Sequence, residues 1–325
     1  MSSDPQALAS ELTPALYDAC EGRLGPIQWF RSTWQMGGAA TGLSTWHLDD
    51  GRTIDVLVKL PVGHTEFYWT SNLGRWNPSN GSKPAGSTPR VIAGADTLAN
   101  YDLAWLVEER LKGGTLGSDL AKEQVVGLLE AAVDFHVRAS QVRPVREDDR
   151  SPPPDWAHLI ERARASVHDN HIEHEQRWRD GLKKVKRGLD SLVAHWRRRA
   201  ICTWCHGDLH PGNAMHRGPE SGDGQIVLID LALVHAGHWV EDAVYLERLY
   251  WGHEHLLHGV KPVSAMAKLR RARGLKTGDD YAHLANIRRL LMASCAPAFL
   301  AREGNPAYLE TALRLVETLG HDLLR

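Results

Sequence analysis

The fold of this chain is decided by Cys205-His206-Gly207-Asp208-Leu209-His210-Pro211-Gly212-Asn213, and by Ile226-Val227-Leu228-Ile229-Asp230 after it. Asp208 and Asn213 are five residues apart, and the Pro-Gly turn between them can direct both side chains into one cleft. Residues 217–224 are rich in Gly, Ser, Pro and Asp, which predicts a turn. Four apolar residues then predict a buried strand that ends at Asp230.

These two loops carry the side chains that phosphoryl transfer from a nucleotide requires. One carboxylate accepts or orients the acceptor hydroxyl, while an amide and a second carboxylate hold Mg²⁺ against the phosphates. An Asp-x₄-Asn pair alone occurs by chance in most chains. The pair gains its significance from the apolar strand that follows it and ends in another aspartate.

The string from His206 to Asn213 resembles the catalytic loop of the aminoglycoside phosphotransferase-like kinases, a family with the protein-kinase fold. The resemblance implies that Asp208 is the catalytic base, that Asn213 and Asp230 are metal ligands, and that ATP and Mg²⁺ are the cofactors. The second loop departs from the family pattern, because Leu231-Ala232 stands where a Phe-Gly or Trp-type pair is expected. The gap from Asn213 to Asp230 is also a few residues longer than the family pattern, which we attribute to a longer hairpin tip.

A zinc site is the alternative interpretation of the same stretch. Cys202, Cys205, His206 and His210 have zinc-like spacing. No second Cys pair follows in the sequence, and the kinase-type loop already accounts for these residues.

The fold class expected from the resemblance is α+β, with the two lobes of a protein kinase. Residues 1–110 are predicted to form a β-rich, nucleotide-binding lobe with a small antiparallel sheet. Residues 111–325 are predicted to form a mainly helical lobe with the catalytic loop, the metal loop and the acceptor site. ATP is expected between the lobes.

Lys59 ends the apolar run Val56-Leu57-Val58, where a charge requires a partner. In the kinase fold the third strand supplies the lysine that contacts the α- and β-phosphates. Between Lys59 and Arg90 the only acidic residue is Glu66, which we therefore nominate as the partner. Thr65 is expected to cap a short helix from Glu66 to Trp76. The alternative is a solvent-facing glutamate that only favours the helix dipole.

Small residues before this strand are candidates for a phosphate-contacting loop. Backbone N–H groups can approach phosphates closely at such positions, although a plain hairpin turn explains them equally well. The candidates are Gly37, Gly38, Thr41 and Gly42. Two further strands are predicted, over residues 90–93 and 103–108. The segment from Glu109 to Leu111, directly after the second, resembles the hinge between kinase lobes. Its backbone groups are expected to contact the adenine.

The charge pattern changes around the two loops. Residues 201–250 contain seven acidic residues and two basic ones, which suits Mg²⁺ and a cationic acceptor. The segment from Gly237 to Asp242 resembles the one that follows the metal loop in the family, and Asp242 is assigned the role of bracing the catalytic loop. His136, on the apolar face of a predicted helix, is interpreted as a core residue.

Composition excludes several other classes. A net charge of −2 over 325 residues argues against a general nucleic-acid binder. Four cysteines do not form a disulfide framework, and reduced, cytoplasmic thiols are the simpler expectation. No secretory signal and no membrane span are predicted. No protein partner is inferred.

The acceptor is the least specified part of the interpretation. The resemblance implies a small molecule with a hydroxyl group. Aminoglycosides are one candidate, which would imply antibiotic resistance, and sugars, choline-like alcohols and macrolides are others. A nucleotide-binding module without catalysis is a second hypothesis. The full set of Asp208, Asn213 and Asp230 argues against it, because a degenerate site is expected to lose one of them.

Overall fold

The chain forms two compact units, each assembled from several segments. The computed structural model describes residues 5–30, 39–75, 86–117, 119–218, 224–278, 280–300 and 304–324. The first unit comprises residues 1–116, 137–144 and 211–234, and the second comprises 117–136, 145–210 and 235–325. Each unit is defined by the contacts among its segments, so no single position in the sequence divides the two. The predicted lobe boundary at residue 110 stays a prediction.

The first unit is built on a five-stranded antiparallel sheet with the order β1-β2-β3-β5-β4. Its strands are β1 (Gln28–Phe30), β2 (Ala40–His47), β3 (Thr53–Val62), β4 (Val91–Ala95) and β5 (Ala104–Glu109). Buried and partly exposed residues alternate along β2 and most of β3, as expected for strands with one face on a core. Helix α1 (Pro5–Ala19) covers that face, where Leu16 and Val58 are fully buried in one cluster.

Helix α2 (His64–Gly74) follows β3 directly. It begins two residues earlier than expected, because Gly63 in an extended conformation is its N-cap and no side chain caps it. Thr65 is therefore a helical residue rather than the cap. Glu66 lies in the first turn, as predicted, but its side chain is buried.

The hairpin of β7 (Ala214–Arg217) and β8 (Gln225–Leu228) completes the first unit. The strand predicted before Asp230 is β8. Leu228 N–H donates to the carbonyl of Ser87, and Ile229 N–H donates to the carbonyl of Asn213, both within this unit. The hairpin therefore fixes the positions of Asn213 and Asp230 at one end of it.

The second unit is mainly helical. Its helices include α4 (Trp156–Asp169), α5 (Glu175–Arg197), α6 (Val240–Arg248), α7 (Pro262–Ala272), α8 (Tyr281–Cys295) and α9 (Pro306–Leu323). The helix α3 (Lys122–Val142) contributes residues to both units. Two short paired strands, β6 (Thr203–Cys205) and β9 (His235–Gly237), precede the loop that carries Asp208 and helix α6 respectively.

The core of the second unit is formed by the apolar faces of its helices. On α5 the buried residues recur at helical spacing from Trp178 to Trp196, with the basic residues between them exposed or partly exposed. The sequence predicts an amphipathic helix over residues 172–196, and α5 confirms it. Of the residues that the structure describes, none forms a helix that is long and apolar enough to cross a bilayer.

Candidate functional site

A cleft of about 500 Å³ lies within the first unit. Strands β2, β3 and β5, helix α2 and the ends of the β7–β8 hairpin supply its walls. The polar residues that line it include Thr41, Lys59, Glu66, Glu108, Glu109, Asn213 and Asp230, and the apolar ones include Leu43, Leu57, Leu111, Met215 and Ile229. The lining therefore combines charged side chains with aliphatic surface suited to a flat ring.

Lys59 is held by two carboxylates in this cleft. Its Nζ atom lies 2.8 Å from Glu66 Oε1 and 3.3 Å from Glu108 Oε1. Burial alone would lower the pKa of Lys59, but the charges of Glu108 and Glu66 outweigh burial and raise the pKa well above its ordinary value. The lysine is therefore a fixed cation. The structure brings Lys59 and Glu66 together as nominated.

Glu108 is a second carboxylate that our reading of the sequence missed. Leu57 pairs with Glu108 and Lys59 pairs with Leu106, so Glu108 lies diagonally across from Lys59 on the neighbouring strand. Burial raises its pKa, although the nearby charge of Lys59 opposes this. The signal was present, because Glu108 follows an apolar run in the same way as Lys59 does.

The predicted hinge is fixed by a side chain as well as by its backbone. The Arg217 guanidinium donates to Glu109 Oε1 from Nε at 2.9 Å and from Nη2 at 2.6 Å. It also donates to the carbonyls of Gly86 and Thr88 at 2.7 and 2.6 Å. Arg90 N–H donates to the same Glu109 oxygen at 2.9 Å. The Glu109 carboxylate therefore holds the strand end in place, while Leu111 lines the cleft beside it.

Asn213 and Asp230 line the same cleft as Lys59. Asp230 adopts a left-handed backbone conformation with φ of 60°, which aspartate tolerates better than most residues. Its Oδ1 atom accepts a hydrogen bond from Ala232 N–H at 3.4 Å, and the residue is exposed. An amide oxygen and a carboxylate are hard oxygen donors, so the pair fits Mg²⁺ by chemistry.

The small-residue candidates are divided by the geometry of β2. Thr41 lines the cleft, whereas Gly42 is not among its lining residues. A Cβ atom on Gly42 would lie 2.4 Å from Ile27 Cγ2 and 3.0 Å from Trp29 Cε3. The absence of a side chain at Gly42 therefore leaves room for Ile27 and Trp29 to pack against β2. Gly37 and Gly38 lie outside the described residues.

Asp208 belongs to the second unit, where two side chains hold its carboxylate. The Tyr245 hydroxyl on α6 donates to Oδ1, and His210 Nε2 lies 3.4 Å from Oδ2. Burial would raise the pKa of Asp208, but the hydrogen bonds of His210 and Tyr245 lower it well below its ordinary value. Burial, together with the hydrogen bond to Asp208, raises the pKa of Tyr245 to about 12. Tyr245 therefore acts as a donor and Asp208 is ionised.

The loop that carries Asp208 is fixed from behind by Asp242. The Asp242 carboxylate accepts the N–H of His206 and the N–H of Gly207, each at 2.9 Å. Gly207 has φ of 85°, a conformation that glycine adopts without steric cost. The side chain of His206 is fully buried, and its Nδ1 accepts the N–H of Asp208 at 3.3 Å. The contacts agree with the bracing role expected of Asp242.

The zinc alternative is not supported by the described residues. The one group there with metal-like proximity is Cys205, His235 and Glu241, whose ligand atoms lie within 4.8 Å of one another. Only Cys205 is shared with the group of two cysteines and two histidines that the sequence offered as a zinc site. Glu241 Oε1 is also bonded to Arg199 Nε at 3.0 Å, and burial raises the pKa of the Cys205 thiol well above its ordinary value. A neutral thiol beside an Arg–Glu pair does not suit a cation.

Residues 80–285 match the sequence model of a family described as the phosphotransferase enzyme family. That span covers more than half of the chain and includes Asp208, Asn213, Asp230 and Asp242. Lys59 and Glu66 lie before it. A comparison with curated protein sequences gives no match.

Solved structures with the same fold include three kinases. An aminoglycoside phosphotransferase from Alicyclobacillus acidocaldarius subsp. acidocaldarius DSM 446 is 16% identical, with 91% of this chain and 90% of that chain covered and a TM-score of 0.53. A choline kinase from Cryptosporidium parvum Iowa II is 12% identical, with 98% and 94% covered and a TM-score of 0.52. A spectinomycin phosphotransferase in complex with ADP and spectinomycin is 12% identical, with 90% and 92% covered and a TM-score of 0.51. This likeness confirms the predicted α+β, protein-kinase-like fold.

Proposed function

Because the chain belongs to the phosphotransferase enzyme family, we propose that it transfers the γ-phosphoryl group of ATP to a hydroxyl group of a small molecule. The observation that supports this most directly is the lining of the cleft in the first unit. Lys59 with its carboxylate partner, Asn213 and Asp230 all face one cavity. A nucleoside triphosphate with its metal suits this lining, because the cation can contact the phosphates, the two oxygen ligands can hold the metal and the apolar wall can contact the base.

Lys59 would neutralise charge on the phosphates. Its high pKa keeps it cationic, and the 2.8 Å contact with Glu66 limits the positions of its Nζ atom. Asn213 and Asp230 would hold Mg²⁺, which supplies further neutralisation of the phosphates when it is bound. Backbone groups between Glu109 and Leu111 would contact the base. Thr41 would face the phosphates from β2.

Asp208 would accept a hydrogen bond from the acceptor hydroxyl and orient its oxygen for attack. The oxygen forms the new bond to the γ-phosphorus as the bond from that phosphorus to the bridging oxygen of ADP breaks, and the hydroxyl proton passes to Asp208. Tyr245 and His210 hold the carboxylate in position without covalent involvement. Most of the rate enhancement would therefore come from placement and electrostatics.

The acceptor class stays open at this level. Aminoglycosides, choline-like alcohols, sugars and macrolides are all candidates, and the first two are represented by the similar structures. The acidic residues of 201–250 are a weaker argument for a cationic acceptor than the sequence alone indicated, because two of them are already paired with arginines. Glu241 is paired with Arg199, and Glu247 is paired with Arg289 at 2.6 Å. Both arginines come from outside that segment.

The test is an acceptor screen with Mg²⁺ATP, read as ADP formation and as mass gain of the acceptor. Asp208→Asn should reduce turnover by on the order of 10²–10³ or more, because it removes the charge that orients the hydroxyl. Its affinity for ATP should stay unchanged. Asp190→Asn, an exposed carboxylate change on α5, is the matched control and should leave turnover unaffected.

The second hypothesis, nucleotide binding without catalysis, makes a different prediction. ATP would bind with Mg²⁺ dependence, but no acceptor in the panel would gain mass, and Asp208→Asn would change nothing measurable. Turnover equal to that of the wild type in Asp208→Asn would contradict the role given to Asp208 in the kinase proposal.

A further inference from the structure

Behind the catalytic loop, three buried side chains of the second unit form a continuous hydrogen-bonded series. Arg270 on α7 lies with Nη1 3.2 Å from His136 Nδ1. His136 Nε2 on α3 lies 2.9 Å from Asp242 Oδ2 on α6. The three residues are 4%, 2% and 0% exposed respectively. Asp242 in turn accepts the two backbone N–H groups of His206 and Gly207. The series therefore joins α7 to the backbone next to Asp208.

The chemistry of the first member determines the state of the second. A guanidinium group can only donate hydrogen bonds, so Nδ1 of His136 must be the acceptor in its contact with Arg270. The ring proton is then on Nε2, where it is donated to the Asp242 carboxylate. With its proton on Nδ1, His136 would direct a donor at the Arg270 guanidinium and an acceptor at the Asp242 carboxylate. Neither contact would then be a hydrogen bond. Arg270 thus selects one tautomer of His136, and that tautomer is the one that can hold Asp242.

We propose that His136 and Arg270 are positioning residues for the catalytic loop, acting through the neutral Nε2–H tautomer of His136 on Asp242. With the histidine donor in place, Asp242 Oδ2 is fixed between a side-chain N–H and the N–H of His206. Oδ1 is then directed at Gly207 N–H. Loss of the donor lets the carboxylate rotate, and the loop amides lose a fixed acceptor. The reactive position of Asp208 follows, since it is the next residue along the chain.

The surroundings of His136 agree with this role. The charged and titratable groups that face it are Asp242 from α6, Arg270 from α7 and His206 from the loop. Burial lowers the pKa of His136 below its ordinary value, even though Asp242 opposes this, and Arg270 and His206 act in the same direction as burial. Arg270 is itself anchored, because Nη2 donates to the Lys276 carbonyl at 3.2 Å. The ring is therefore neutral and its two partners are fixed.

Two substitutions of His136 separate the two ring nitrogens. A glutamine amide reaches the place of Nε2 and retains a donor for Asp242, whereas an asparagine amide reaches only the place of Nδ1. We expect His136→Asn to lower kcat by about ten- to a hundredfold, the effect of losing a hydrogen bond to a buried charge. His136→Gln should retain most of kcat. The KM for ATP should be similar in both, since the nucleotide cleft is lined by residues of the other unit.

A readout besides activity is backbone hydrogen exchange in the segment 203–210. His136→Asn should accelerate exchange there, His136→Gln should do so much less, and Ser294→Ala should not. Ser294 is a matched control, since it is a fully buried polar residue of α8 whose hydroxyl donates to the carbonyl of Leu290 within its own helix. Equal protection and equal kcat in His136→Asn and His136→Gln would overturn the proposal.

The tautomer itself is measured by nitrogen chemical shifts of histidine in the folded wild-type protein, with His136→Gln used for assignment. We expect the neutral Nε2–H pattern at neutral pH in the wild type and a loss of that single pattern in Arg270→Met. A cationic ring or an Nδ1–H ring in the wild type would refute the inference. The kinetic part rests on the proposed kinase function, but exchange and tautomer do not, so failure of the two proposals can be told apart.

Discussion

Lys59 is a single cation between two carboxylates that are nearly removed from water. The side chains of Lys59, Glu66 and Glu108 are 14%, 12% and 3% exposed. One Glu108 oxygen, Oε2, has no hydrogen-bond partner among the described residues. The three residues should therefore be energetically coupled, since removing the cation leaves two like charges in a poorly solvated place.

We predict that Lys59→Met lowers the free energy of unfolding by about 3 kcal/mol, the usual cost of stranding a buried charge. Adding Glu108→Gln to Lys59→Met should recover a large part of that loss, because it removes one of the two unpaired carboxylates. Urea unfolding of the single and double variants measures both effects. If the double variant is no more stable than Lys59→Met, Glu108 does not share the lysine.

At the scale of elements, strand β7 holds the end of strand β5 through one arginine. Arg217 reaches Glu109, the carbonyls of Gly86 and Thr88, and Gln225 Oε1 at 2.7 Å. Its side chain is 13% exposed. The hairpin, which carries both Asn213 and Asp230 at its open end, is thereby linked to the strand that borders the cleft.

We predict that Arg217→Met destabilises the protein by about 3 kcal/mol and weakens nucleotide binding, because Glu109 loses the closer of its two arginine partners and the strand end loses its support. Lys112→Met is the matched control. Lys112 pairs with Asp55 at 2.7 Å, but both side chains are at least one-third exposed, so its loss should cost less than about 1 kcal/mol. Thermal unfolding and nucleotide titration are the measurements. Equal losses in the two variants would contradict the role of Arg217.

At the scale of the whole molecule, stability should depend on pH through buried histidines. His238 is 2% exposed, and burial, which outweighs the nearby Glu241 charge, lowers its pKa to about 4. The unfolded chain, with an ordinary pKa near 6.5, binds a proton between these values that the folded protein does not. Stability is therefore present above about pH 6.5 and is lost as pH falls towards 4. His136 acts in the same direction.

We predict that His238→Asn flattens this dependence by about 3 kcal/mol between pH 6.5 and 4, the equivalent of the pKa difference. Asparagine keeps an acceptor near the place of Nδ1, which accepts Val240 N–H at 3.3 Å. A residual slope from His136 should remain. Urea unfolding at a series of pH values gives the comparison, and an unchanged slope would show that His238 does not titrate in this range.

The sequence identified most of the elements because their signals are local. The sequence predicts helices over residues 156–167, 172–196, 263–273 and 306–324, and α4, α5, α7 and α9 begin and end within a few residues of those bounds. Apolar periodicity marks all four, and Pro stands in the first turn of α7 and α9. The end of α6 was less accurate. The sequence predicts one helix over residues 242–258, but α6 ends at Arg248, and Glu254–Leu257 form a separate 3₁₀ turn.

The sequence by itself determined the protein-kinase-like fold and the family, through a loop whose polar residues must keep a fixed order and spacing. It also paired Lys59 with Glu66, because only one acidic residue was in range. Only the tertiary structure decided that Glu108 shares that lysine, that Arg217 holds the end of β5 through Glu109, and that arginines from other segments neutralise Glu241 and Glu247. The physical reason is that strand register and helix packing bring together charges far apart in the chain, and no local pattern records which of them meet.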